Sequence, residues 1–144
     1  MRREIIHAID IAAEPKSVFD TVATRSGLAS FWTPDVRGDD AEGGELLFGF
    51  AAAPAPLPMR VVRLQAPTTV AWDCPGVFPY WEGTTVTWSI QGVDGASRVL
   101  FRHAGFPDAQ PEYEFGSVSL TWALVVARLK DVVEAGGVAN PALS

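Results

Sequence analysis

Hydrophobic positions along this chain switch between two periods, and the switches divide it into elements. From Glu4 to Ala12 they alternate, placing Ile5, His7, Ile9 and Ile11 on one side in the pattern of a half-buried strand. Glu14-Pro15 opens a helix, since proline at a first-turn position loses no hydrogen bond, and Val18, Phe19 and Val22 form its apolar stripe. Ser26-Gly27 predict a break. A short second helix then carries Leu28, Phe31 and Trp32 and ends at Pro34. An acidic loop with Asp35, Asp39, Asp40, Glu42 and Glu45 follows.

Period two then returns. Leu46, Phe48 and Phe50 alternate in a strand over 44–51, and an Ala/Pro-rich connector from Ala51 to Pro58 interrupts the pattern, because three prolines in five residues do not suit a sheet interior. Strands are predicted over 59–66 and 69–74, and a longer one from Glu82 to Gln91 sets Thr84, Val86, Trp88 and Ile90 against Thr85, Thr87 and Ser89. Asp94-Gly95 is a hairpin signal, and the return strand from Arg98 to Ala104 aligns Val99, Phe101 and His103. Between Phe115 and Ala135 the spacing becomes three and four, at Val118, Trp122, Val125, Leu129 and Val132. This is a long amphipathic helix, stopped by Gly136-Gly137.

Strands and helices segregated in this way predict an α+β fold, with an antiparallel sheet of about six strands wrapped around the long C-terminal helix. The chain has 144 residues, 48% of them hydrophobic and 19% charged, enough for a real core in one domain. That domain is placed at 1–138, with 139–144 as a tail. A net charge of −6 argues against nucleic acid, because little here would displace counterions from phosphates. No apolar run is long enough to span a bilayer and the start does not read as a signal peptide, so no membrane partner and a cytoplasmic location are expected. The single cysteine, Cys74, excludes an internal disulfide, and two histidines without neighbouring ligands make a metal or other cofactor unexpected.

Several strings resemble one family. They are Ile9-Asp10-Ile11-Ala12-Ala13-Glu14-Pro15 with Val18-Phe19, Leu28-Ala29-Ser30-Phe31-Trp32, Gly83-Thr84-Thr85-Val86-Thr87-Trp88, His103-Ala104-Gly105-Phe106, and Leu129-Lys130 with Glu134 and Gly136. In order and spacing they resemble the C-terminal-domain-like homologues of the activator of heat-shock protein 90 ATPase, within the START/Bet v-like (SRPBCC) superfamily. The resemblance implies the helix-grip fold, with two short helices after the first strand and a cavity between sheet and long helix suited to an apolar or aromatic small molecule. The chain departs from the family pattern at Phe115-Gly116-Ser117 and in its Pro-rich connector.

Three functions are then open. The first is a small-molecule binding protein whose cavity is lined by Trp72, Trp88, Phe48, Phe50, Phe101, His103, Phe115 and Trp122, entered near the connector and the loop from Pro75 to Pro79. These rings also serve as ordinary core filling. The second is an enzyme of cyclase, dehydratase or hydrolase type, with His103 as general acid/base and Glu82 assisting from an inward-facing strand end. Against it stand a core histidine satisfied by its neighbours and a solvated glutamate. The third is a co-chaperone-like interaction module. A homodimer through an edge strand is also compatible with the pattern.

Overall fold

The computed structural model describes residues 2–136, so the predicted boundary at 138 and the tail 139–144 lie outside the described residues. Strand β1 (Arg2–Ile11) leads into helices α1 (Pro15–Ala23) and α2 (Arg25–Phe31). Six strands follow: β2 (Asp35–Gly38), β3 (Glu45–Gly49), β4 (Leu57–Gln65), β5 (Thr69–Cys74), β6 (Thr84–Val93) and β7 (Ala96–Pro107). Helix α3 (Glu112–Glu134) completes the fold. All strand pairs are antiparallel, in the order β1-β7-β6-β5-β4-β3-β2. The two helices after β1 carry the chain from one edge of the sheet to the other, and α3 returns to pack along β1.

The period-two reading puts the right side chains inside. Val86, Trp88 and Ile90 of β6 and Val99, Phe101 and His103 of β7 are buried, while Thr85, Thr87 and Ser89 are not. Trp122, Val125, Leu129 and Val132 of α3 join the same core, with Phe31 and Leu28 from α2.

Four expectations need correction. The Pro-rich connector ends before Leu57 rather than at Pro58, because β4 opens with Leu57-Pro58 opposite Phe48 and Leu47, and a proline is tolerated at the start of a strand. The sheet has seven strands, not about six, because Asp35-Val36-Arg37-Gly38 forms a short edge strand within the predicted acidic loop. One apolar residue among charges shows no alternation, and short charged strands are how sheets protect an edge. The first helix breaks at Thr24 rather than at Ser26-Gly27. Thr24 is extended and caps α2 by accepting the Gly27 N–H at 3.1 Å, so Gly27 lies inside the second helix, where a side chain would collide with the Thr21 backbone. Finally, α3 begins at Glu112 rather than Phe115; the first turn is polar, so its signal is the acidic pair Glu112 and Glu114 after Pro111, not an apolar period.

Two sets of polar contacts fix α3. On the outside, Lys130 Nζ donates to the Asp10 carbonyl at 2.7 Å, and Glu134 accepts the Ala12 N–H at 2.8 Å as well as a hydrogen from Lys130. The Ala12 N–H and Lys130 together hold the Glu134 carboxyl below its ordinary pKa. His7 Nε2 donates to the Ser119 carbonyl at 3.0 Å.

The inner set is buried. Trp122 Nε1 can only donate, and it donates to His103 Nδ1 at 3.0 Å. The imidazole is therefore the Nε2–H tautomer, and it donates to Thr84 Oγ1 at 2.8 Å. The Thr84 hydroxyl passes its hydrogen to the Trp81 carbonyl at 2.6 Å. His103 is 0% exposed, and burial pushes its pKa down to about 3. Added at Nδ1, a proton would face the indole N–H, donor against donor.

Two outcomes follow for stability. The unfolded chain protonates this histidine near pH 6.5, whereas the folded chain keeps it neutral down to about pH 3. Its contribution is thus complete above pH 6.5 and is lost as pH falls toward 3, at up to about 1.4 kcal/mol per pH unit. An NMR titration should show no His103 ring shift between pH 8 and 4.5, and the urea midpoint should fall with pH less steeply in His103→Gln than in the parent. A ring that titrates near 6.5 would contradict the buried relay. Separately, Gly27→Ala should lower stability by about 1–3 kcal/mol in thermal unfolding, although alanine is the better helix former, because backbone must move to admit it.

Candidate functional site

A half-open cavity of about 500 Å³ lies between the N-terminal half of α3, the loop before β6, the end of β3 and the C-terminal end of α2. Its inner wall is aromatic. Trp32 comes from the C-cap of α2, Phe50 from just beyond β3, Phe78 and Trp81 from the loop, and Trp122 from α3. Trp32 packs against Trp122 at 4.9 Å between ring centroids, and Trp81 stacks on Trp122 at 6.2 Å. The rest of the wall is Pro79, Gln110 and one face of α3: Tyr113, Glu114, Ser117, Val118 and Thr121. Spacings of three and four bring these five side chains together.

The loop that carries Phe78 and Trp81 is unusually conformed. Val77 has φ 86° and Tyr80 φ 71°, both in the left-handed region, which costs most for a β-branched residue such as Val77. The loop is closed at its base by Gly83 N donating to the Cys74 carbonyl, and Trp81 N donates to the Phe78 carbonyl within it.

Of the residues expected to line the cavity, the wall contains Phe50 and Trp122. Phe48, Trp72, Trp88 and Phe101 are fully buried one layer deeper. They support the wall from behind: Phe48 meets Trp32 at 4.3 Å, and Phe101 meets Trp122 at 4.5 Å. The reason is room. Trp32 and Trp122 cover the sheet, so inward-facing rings of the central strands end against protein instead of the cavity. Phe115 points to the other side of α3, against Phe106 at 5.4 Å, with the Arg3 guanidinium 4.5 Å above its ring.

His103 also lies behind the wall, with both ring nitrogens occupied by Trp122 and Thr84. A general acid/base needs a free nitrogen within reach of a substrate and a pKa nearer neutrality, so this ring is a fixed support for Trp81 and Trp122. Glu82 is exposed in the turn before β6 and outside the wall. The predicted inward parity fails because β6 begins only at Thr84, and Gly83 at φ 80° breaks the alternation between them. Cys74 is buried, which raises its thiol pKa and keeps it unreactive.

Sequence reasoning missed Trp32, Phe78, Trp81, Gln110 and the polar face of α3 as wall residues. Phe78, Trp81 and Gln110 lie in loops without a period to read. On α3 the available signal was a second face, from Tyr113 through Ser117 to Thr121, with Glu114 as its one charge.

Among the described residues no helix is long and apolar enough to cross a membrane, and no cluster of side chains is arranged to hold a metal ion. Comparison with solved structures gives the same fold. The solution structure of the Aha1 dimer from Colwellia psychrerythraea superposes with a TM-score of 0.82 at 26% identity, covering 93% of this chain and 98% of that one. A Mesorhizobium loti protein matches with a TM-score of 0.80 at 13% identity, over 93% of this chain and 98% of its own. A Staphylococcus saprophyticus protein matches with a TM-score of 0.75 at 16% identity, over 94% of each chain. A search of curated proteins finds no significant match. The family model described as Activator of Hsp90 ATPase homolog 1-like protein matches residues 12–134, and with the helix-grip architecture above it the chain belongs to that family.

Proposed function

We propose that this protein binds a small apolar or aromatic molecule in the cavity beside the N-terminal half of α3. The observation that carries this reading is the wall itself: Trp32, Phe50, Phe78, Trp81 and Trp122, from four separate segments, pack against one another and still leave an open volume of about 500 Å³ beside them. Cavities of this size, mostly apolar with a few polar groups, are the usual form of small-molecule sites. The left-handed backbone at Val77 and Tyr80 supports it, since strain of this kind collects where a loop must hold a shape for a ligand. The enzymatic alternative loses its proposed acid/base pair, because His103 and Glu82 both lie outside the wall.

A second copy of the chain is also proposed as a partner. The Colwellia relative is a dimer, and here Leu120 and Leu124 stand 63% and 62% exposed on the outer face of α3. Neighbouring apolar side chains held in water are better covered by another copy.

Nile red, a neutral apolar dye, should bind saturably at one site per chain with a blue-shifted emission. Thr121→Trp, which places an indole in the cavity from an exposed helix position, should weaken that binding at least about tenfold while thermal unfolding moves by only a few degrees. Saturable binding that the substitution leaves untouched would put the ligand elsewhere. For the dimer, sedimentation velocity should find paired chains, and Leu120→Glu with Leu124→Glu should give monomers. A parent that is already monomeric at high concentration removes the proposal.

A further inference from the structure

The polar groups around this cavity are not neutral in sign. Glu114 is the one charged side chain in the wall, and no lysine, arginine or histidine contributes to it. Gln110 is only 3% exposed, and its Oε1 is buried without a hydrogen-bond partner. An acceptor left unpaired is costly, and although Oε1 is shielded as it stands, a turn of the amide toward the cavity would let a ligand donor recover that cost. The Glu114 carboxylate can only accept, and the Gln110 amide holds an acceptor that lacks a partner. Beside the Ser117 and Thr121 hydroxyls, Pro79 and Val118, the rest of the wall is aromatic, and the faces of Trp32, Trp81 and Trp122 carry the negative side of their quadrupoles.

One cation, Arg3, touches Gln110 from outside the wall, and its Nε is likewise buried without a partner. Arg3 lies behind Gln110, where Nη2 donates to the carbonyls of Pro107 and Gln110 and the guanidinium covers the Phe115 ring. It makes no part of the wall. The positive end of the α3 dipole does favour anions there, but Glu112 and Glu114 in the first turn already answer it.

We infer that the cavity selects an aromatic or apolar molecule bearing a positively charged nitrogen, an organic ammonium, with its nitrogen between Glu114 and Gln110 and its ring against the tryptophans. This rests on the cavity being a ligand site and adds the chemical class of ligand. It excludes the carboxylate-headed molecules, fatty acids among them, that an apolar pocket with an arginine would take.

Three probes of one shape separate the possibilities: 1-naphthylmethylamine, 1-naphthalenemethanol and 1-naphthoate, compared by calorimetric titration at pH 7 and low salt. The ammonium should bind about tenfold more tightly than the alcohol, and the carboxylate weakest of all. Glu114→Gln, at an exposed helix position, should reduce the ammonium-to-alcohol ratio several-fold. Gln110→Leu should weaken ammonium and alcohol together without rescuing the carboxylate. A carboxylate that binds as well as the ammonium, or a ratio unmoved by Glu114→Gln, would overturn the charge selection while leaving the cavity reading intact. If none of the three binds to folded protein that also fails to take up Nile red, the cavity reading falls and this inference with it.

Discussion

A buried relay runs from Trp122 through His103 and Thr84 to the Trp81 carbonyl and ties three parts of the molecule together. It is the place where long helix, central sheet and cavity loop share one line of hydrogen bonds. Each donor has one acceptor and each proton one position, because an indole can only donate and a carbonyl can only accept. Removing any member leaves a buried polar group unpaired, so the relay sets the position of α3 over the sheet far more sharply than apolar contact alone. It also sets Trp81 and Trp122, two of the rings that form the cavity wall.

From this follows a division of labour among the aromatics. The deeper layer, Phe48, Trp72, Trp88 and Phe101, is packed without exposure and acts as a rigid floor. The upper layer, Trp32, Phe50, Phe78, Trp81 and Trp122, rests on that floor and leaves open space above. Interiors are close-packed as a rule, so a volume of this size persists only where its lining cannot collapse. Stacked indoles on a filled core, and a loop held in left-handed conformations, are what resist collapse here.

Polar groups follow the same logic at lower cost. The outer contacts of α3, from Lys130 and Glu134 to β1, lie at the surface and mainly set register. Inside, Trp88 Nε1 also lacks a hydrogen-bond partner, surrounded by the rings of Phe31, Phe101, Trp72 and Trp122. Unlike Gln110, it lies outside the cavity wall, so its cost is borne by the packing around it.

Much of this was legible in the sequence, since alternation and helical spacing are local properties. Val86-Thr87-Trp88 and Val99 to His103 declare their buried faces wherever the strands lie, and Val118 to Val132 declare the stripe that the sheet must cover. The polar edge strand Asp35–Gly38 and the first turn of α3 carried no such period and went unread. Parity tells which side of a strand a residue occupies, but not how many layers lie between that side and solvent. Local pattern alone therefore specifies the α+β class and the inward set of rings, while the helix-grip arrangement is what the family resemblance implies. Tertiary packing sets which rings face the cavity, makes His103 a bonded support and Glu82 a solvated turn residue, and puts both Gln110 and Glu114 in the cavity wall. Those outcomes depend on where a loop and a helix end meet, and no local pattern encodes that distance.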